Sequence, residues 1–245
     1  MVPATALSWV LDSVDKIGLK QWGSYEQLGL YAAAFKIVAL LTVLQTIFTT
    51  TWVPVAYKWY EDKENVVKFD FVRILVLAIM AITFAGIVVL RDIVLLFLGP
   101  AYRNTAIIFI YLLLIPVMYT ISETTTLGIA FSGKTQFNLY VSIICVTCSV
   151  IGNFLLIPSY GARGAALSTG AAYLVFFWAR TIFSRRLWYK FKLDKYFINV
   201  SALVVLVLMV EFNAQKYFEV IIMGLIILIN GVFVKKYYIG LQGKS

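Results

Sequence analysis

The sequence predicts an all-α membrane protein, a multi-span helical bundle with about seven complete transmembrane helices and a truncated first one. The first observation is composition: 62% of the 245 residues are hydrophobic and only 13% are charged. A soluble domain is usually about 45–50% apolar, so this chain has too few polar residues to cover a soluble globule. The second observation is a series of apolar runs, each close to the ~20 residues with which a helix crosses a bilayer.

Seven of these apolar runs are long enough to be complete spans. In chain order they cover residues 29–55, 72–90, 106–131, 137–157, 165–183, 197–212 and 218–234. Residues 1–11 are also apolar but too short to cross, so they are interpreted as the last part of another span. The fragment 91–99 is too short as well, and it is predicted to form an interfacial or capping helix.

The basic residues predict which ends of the spans face the cytoplasm. Alternate loops, with the tail included, carry 14 lysines and arginines on one side and 6 on the other. Positive charge collects in cytoplasmic loops, so the richer side, which includes the C-terminal tail, is predicted to be cytoplasmic. The same rule explains the net charge of +9, and no nucleic acid partner is expected.

Several classes of site are not supported by the sequence. It has no histidine, and its two cysteines, Cys145 and Cys148, lie inside an apolar run, so neither a metal nor a cofactor is expected. Residues 128–135 read GIAFSGKT and match the phosphate-binding P-loop pattern. That pattern works between a strand and a helix of an α/β domain, whereas here it crosses the end of a span. We therefore interpret Gly133 as a helix C-terminus.

Lys36 is a charged residue inside the first complete span and the leading candidate for substrate binding. It lies about 12 Å from the outer end of that span, at 1.5 Å per residue. A lysine at the centre of a span costs roughly 2.5–3.5 kcal/mol, so Lys36 is expected to face protein or a water-filled cavity. Two interpretations remain open: a substrate-binding lysine, or a structural ion pair with Asp12 or Asp15.

Glu123 is the second intramembrane charge and also a candidate substrate-binding residue. It either belongs to a transport pathway, where it could pair with Lys36 or line the same cavity, or it is a neutral packing residue, because burial disfavours the charged form. Gln45, in the same span as Lys36, is a third candidate contact. Gly161 and Gly164 are given a structural role, since small residues permit a tight turn and close helix approach.

The serial order of several segments resembles a known family. The segments are DKIGLKQWGSYEQLGLYAAAFKI, TTTWVPVAYKWYED, LFLGPAYRNTAIIFIYLLL, GIAFSGKTQFNLYVSI and NFLLIPSYGARGAALSTGAAYLVFF. Over about residues 1–190, they resemble the C-terminal half of the polysaccharide-transporter flippases of the multidrug/oligosaccharidyl-lipid/polysaccharide exporter superfamily. That group includes the flippases of O-antigen and other lipid-linked oligosaccharides.

The resemblance implies two six-helix lobes around a central cavity. Residues 1–190 would form the C-terminal lobe, and residues 191–245 would add two transmembrane helices and a cytoplasmic tail. The N-terminal lobe would be a separate or missing partner, and other membrane proteins of polysaccharide assembly are further candidate partners. The implied function is to flip a polyprenyl-pyrophosphate-linked oligosaccharide across the inner (plasma) membrane for surface polysaccharide assembly. The chain is thus expected to be a multi-pass transporter and not an enzyme.

Three alternatives to this function stay open. A half-transporter that is inactive without its partner would have the same sequence features. A drug/cation antiporter of the same superfamily would need several buried acids, of which the sequence offers only Glu123 and Asp12. A membrane-embedded polymerase or glycosyltransferase usually has a long outer loop with catalytic acids, arginines or histidines, whereas the predicted outer loops here are short.

Overall fold

The computed structural model describes residues 13–96 and 105–242, and every regular element in these two ranges is a helix. The first helix, α1, covers residues 13–22. The others are α2 (Tyr25–Glu61), α3 (Val66–Val89), α4 (Arg91–Leu96), α5 (Ala106–Thr125), α6 (Leu127–Phe131), α7 (Gln136–Leu187), α8 (Asp194–Glu211) and α9 (Lys216–Gln242). The prediction of an all-α membrane protein is confirmed.

Five helices in the described ranges are long and apolar enough to cross a membrane, namely α2, α3, α5, α7 and α9. Helix α7 has 52 residues but contains a non-helical residue, Gly161, so it consists of two consecutive helices. Helix α8 has 18 residues, three of them charged, and is not among the five. Each of the seven predicted runs nevertheless falls on a helix, with the run 106–131 divided between α5 and α6.

The short helix α4 coincides with the first part of the predicted interfacial helix 91–99. The remainder of that helix lies outside the described residues. The predicted short first span, residues 1–11, and Asp12 lie outside them too.

The two halves of α7 pack against each other in antiparallel directions. Ser168 Oγ in the second half donates a hydrogen bond of 2.9 Å to the Ser149 carbonyl in the first half. One and a half turns further from the bend, the Cys145 thiol lies 3.4 Å from the Ala172 carbonyl. These contacts pair residues that are increasingly distant in sequence, as expected of a helical hairpin.

Two glycines permit this hairpin. Gly161 has φ of +53°, in the left-handed region that residues with a Cβ atom disfavour. The chain turns there because Gln27 Oε1 accepts the Ala162 N–H at 2.9 Å. Gly164 serves a different purpose, since a Cβ atom on it would lie only 2.4 Å from the Leu156 carbonyl oxygen. Together they let the chain reverse direction and the helices approach closely.

Helix α5 occupies the centre of the bundle. Sixteen of its 20 residues are buried, and it packs against α2, α3 and α7. Burial on all sides requires an apolar surface all round, and the sequence of α5 from Ala106 to Met118 is apolar throughout apart from the Tyr111 hydroxyl. This central helix also carries Glu123, so the acid lies between other helices rather than at the lipid surface.

Helices α8 and α9 attach to the rest of the bundle mainly through α3. Buried polar contacts reinforce this packing: Asn230 Nδ2 on α9 donates to Asn199 Oδ1 on α8 at 2.7 Å, and Glu219 on α9 pairs with Arg91 on α4. The division of the chain into residues 1–190 and 191–245 stays a prediction.

The predicted orientation can be tested by cysteine labelling in a chain that lacks Cys145 and Cys148. Cysteines would replace Asp62 and Lys190, which are exposed in loops of the basic side, and Ser159, which is exposed on the opposite side. In intact cells, a membrane-impermeant thiol reagent is expected to label position 159 and leave positions 62 and 190 unlabelled, because the basic loops face the cytoplasm. Labelling of position 62 or 190 from outside would reverse the orientation.

Candidate functional site

Lys36 lies on the side of α2 that faces away from the other described helices. Helix α2 begins after Ser24, whose hydroxyl caps it by accepting the Gln27 N–H at 3.2 Å, and Lys36 lies about 16 Å along it. The buried residues Tyr31, Ala34 and Val38 define the side that packs on the bundle. The Lys36 side chain is exposed and lies on the opposite side.

We call this exposed surface the Lys36 face of α2; it comprises Ala32, Lys36, Leu40, Val43 and Ile47. Its four other residues are apolar, and Leu40 is 71% exposed. Lys36 forms no ion pair with any other described residue. An unpaired lysine at membrane depth is costly against lipid, so a second protein surface or a water-filled cavity is needed beside this face.

Gln45 does not share the Lys36 face. Nine residues, or two and a half turns, separate the two positions, so they lie on opposite sides of α2. Gln45 Oε1, Thr49 Oγ1 and Trp52 Nε1 are buried side-chain atoms that have no hydrogen-bond partner among the described residues. These three form a polar stripe on the packed side of α2, and the structure does not bring Gln45 and Lys36 together.

Glu123 on α5 is paired with a cation that the sequence reasoning did not identify. Its Oε1 lies 2.8 Å from Arg180 NH1 on α7, and both side chains are largely buried, with exposed fractions of 6% and 12%. Lys36 is therefore not its ion-pair partner. Arg180 lies near the end of the predicted run 165–183 and looks like a loop residue in the sequence, so only its place on α7 reveals the contact.

Other groups around Arg180 complete the site. The same NH1 atom donates to Ser122 Oγ at 2.8 Å, and Nε donates to Thr126 Oγ1 at 3.2 Å. The guanidinium also lies 5.4 Å from the ring centroid of Tyr119 and 5.0 Å from that of Phe176, within the range of cation–π attraction. The predicted role of the SETTT hydroxyls as partners for buried groups thus has a specific recipient in Arg180.

Asp15 of α1 is buried where three helical segments meet. Its carboxylate accepts hydrogen bonds from the Tyr31 hydroxyl of α2, from Asn153 Nδ2 at 2.6 Å and from Thr169 Oγ1 at 2.7 Å. The last two residues belong to opposite halves of α7. Asp15 therefore ties α1 to α2 and to both arms of the hairpin. Its alternative partner in the sequence reasoning, Lys36, lies on the far side of α2.

Residues 128–135, which match the P-loop pattern, form a helix end. Helix α6 ends at Phe131, and Gly133 has φ of +68° with its N–H donating to the Ala130 carbonyl at 3.1 Å. The Gly128 N–H already donates to Ser184 Oγ at 2.8 Å. The interpretation of Gly133 as a helix C-terminus agrees with this geometry. The described residues also contain no group of three or more Asp, Glu, Cys or His side chains that could hold a metal ion.

The sequence matches no known family model and no curated protein. Among solved structures, the fold is similar to that of lipid II flippase MurJ in an inward closed conformation, with a TM-score of 0.70 and 16% sequence identity. The match covers 96% of this chain and 53% of the MurJ chain, so this chain spans about half the length of that structure. The expected fold, a helical lobe of the kind found in a lipid-linked flippase, is confirmed. The matched protein is a transporter and not an enzyme.

Proposed function

We propose that this chain is one lobe of a transporter that flips a polyprenyl-pyrophosphate-linked oligosaccharide across the inner membrane for surface polysaccharide assembly. The observation that carries the proposal is Lys36. It is a lysine on the otherwise apolar and uncovered face of a spanning helix, in a chain with the fold of a flippase lobe.

The chemistry of such a substrate explains why a lysine would be needed. A pyrophosphate with attached sugars is anionic and hydrated, and hydrocarbon cannot replace its lost hydration. A cavity that contains water and a fixed cation lowers this cost. The Lys36 ammonium offers three hydrogen-bond donors and a full positive charge, while the prenyl tail remains in the lipid.

The Lys36 face also supports the proposal of a partner lobe. The exposed side chains of Leu40, Val43 and Ile47 suit contact with apolar surface, but Lys36 among them does not. A first lobe that touches the apolar ends of this face and leaves water near the lysine would satisfy both. Rocking of the two lobes around that cavity would then give alternating access.

The other candidate residues enter the proposal differently. Glu123 is neutralised by Arg180, and Gln45 lies on the packed side of α2. We assign direct contact with the head group to Lys36 alone. Glu123 would act by holding Arg180 in place, and Asp15 by holding the hairpin of α7 against α1 and α2.

Deleting the gene for this chain tests the proposal. Cells without it are expected to lose surface polysaccharide and to accumulate the lipid-linked oligosaccharide in the inner leaflet, where added enzymes reach it only after the membrane is opened. Re-expression of the chain should reverse both effects. Accumulation of lipid II instead would replace the proposed substrate, and an unchanged distribution of both lipids would contradict a flippase function.

A further inference from the structure

A polar cavity of about 210 Å³ lies beside the loop that joins α7 and α8, away from the Lys36 face. It is lined by Asp70, Ile74, Tyr189, Lys190, Phe191, Lys192, Tyr196 and Tyr237. We call it the α7–α8 cavity. The basic loop places it on the side that the charge distribution predicts to be cytoplasmic.

The walls of this cavity are held in place by buried Arg73. Its NH1 donates to Asp70 Oδ1 at 2.9 Å and also to the Tyr189 hydroxyl, which in turn donates to Asp70. The guanidinium lies 4.7 Å from the Tyr189 ring centroid and 4.4 Å from that of Phe191. Burial raises the pKa of Tyr189, so its hydroxyl stays protonated. The loop is fixed further by Arg185, whose Nε donates to the Phe191 carbonyl at 2.7 Å.

Two lysines of the cavity have charges that are not neutralised. Lys190 and Lys192 are exposed, and neither forms an ion pair with another described residue. The acid in the wall, Asp70, is already paired with Arg73. The exposed Asp194 at the start of α8 opposes them with a single charge. The cavity therefore has an excess of positive charge.

Its position relative to the membrane narrows the choice of ligand. Helix α8 begins at Asp194, two residues after Lys192, and Phe197 in its first turn is already 65% exposed. An exposed phenylalanine on an apolar helix indicates contact with lipid. The two lysines thus lie just outside the hydrocarbon, at the level of the lipid head groups.

We propose that the α7–α8 cavity binds the phosphate head group of an anionic membrane lipid. Lysine ammonium groups bind phosphate as point charges, and basic pockets beside cytoplasmic helix ends suit anionic head groups. Lys190 and Lys192 contact the phosphate, and the fixed rings of Phe191 and Tyr196 form the walls. The bound lipid would thereby join the α7–α8 loop to α3 through Asp70.

The test measures thermal unfolding of the purified full chain in neutral detergent while phosphatidylglycerol is titrated in, with phosphatidylcholine as the neutral comparison. Phosphatidylglycerol is expected to raise the unfolding temperature of the wild type. The double variant Lys190→Gln/Lys192→Gln should need about 10- to 30-fold more of this lipid for the same rise, the effect expected of two lysines near an anionic head group. Lys190→Arg/Lys192→Arg, which keeps both charges, should respond like the wild type.

A matched control removes the same charge elsewhere on the same side. Lys58→Gln/Lys63→Gln alters two exposed lysines that do not line the cavity, and it should respond like the wild type. An unchanged response of Lys190→Gln/Lys192→Gln, or an equal loss in the control, would overturn the site. An equal rise with inorganic phosphate alone would overturn the lipid as its source. Flipping is not measured, so the result is independent of the proposed function.

Discussion

Replacing Lys36 by alanine is expected to abolish flipping while the chain still accumulates in the membrane. The substitution removes the charge proposed to hold the anionic head group, but it removes no contact within the described bundle, because Lys36 lies on the uncovered face of α2. Lys36→Arg should retain part of the activity, since the charge remains while the geometry of the donors changes. The measurement is surface polysaccharide and chain abundance in cells that also contain the first lobe.

Leu40→Ala is the matched control for Lys36→Ala, because Leu40 lies one turn away on the same face and carries no charge. It is expected to retain flipping. A structural lysine would behave differently: Lys36→Ala would lower abundance, and a second change, Asp15→Asn or Asp12→Asn, would restore it. Given the neutral donors around Asp15, we expect no such rescue. Full export by Lys36→Ala at normal abundance would contradict the proposed role.

Replacing Arg180 by methionine is expected to cause the largest loss of stability. Methionine fills much of the same volume, but it leaves the Glu123 carboxylate buried without its cation. Breaking a buried ion pair in this way typically costs about 3–5 kcal/mol. The change should appear as a lower unfolding temperature in detergent and as lower abundance in the membrane. Arg186→Met, which alters an exposed arginine near the end of the same helix, should change stability by less than about 0.5 kcal/mol.

A double variant separates the two roles considered for Glu123. Glu123→Gln/Arg180→Met removes both charges and is expected to recover most of the lost stability, because no uncompensated charge remains. If Glu123 acts only by holding Arg180, flipping should depend on Arg180 alone, so that Glu123→Gln by itself keeps activity. Loss of flipping in a stable Glu123→Gln protein would support a direct role in transport. Wild-type stability of Arg180→Met would contradict the ion pair.

The sequence by itself determined the class of the protein and the positions of its helices. Crossing a bilayer sets a minimum length of apolar chain, so each run of about 20 residues could be recognised without knowledge of its neighbours. The break within α7 was also visible, since Pro158 and Gly161 lie between the runs 137–157 and 165–183. The geometry at Gly133 likewise agrees with a helix end, because glycine tolerates positive φ.

Only the tertiary structure decided which side chains meet. The helical period fixes the direction of a side chain relative to its own helix, and this already separates Gln45 from Lys36. It does not tell which helix lies opposite, because that depends on how whole surfaces pack. Asp15 therefore finds partners 138 and 154 residues further along the chain. Glu123 pairs with Arg180 rather than Lys36 because α5 and α7 are packed together, while the Lys36 face is turned away from both.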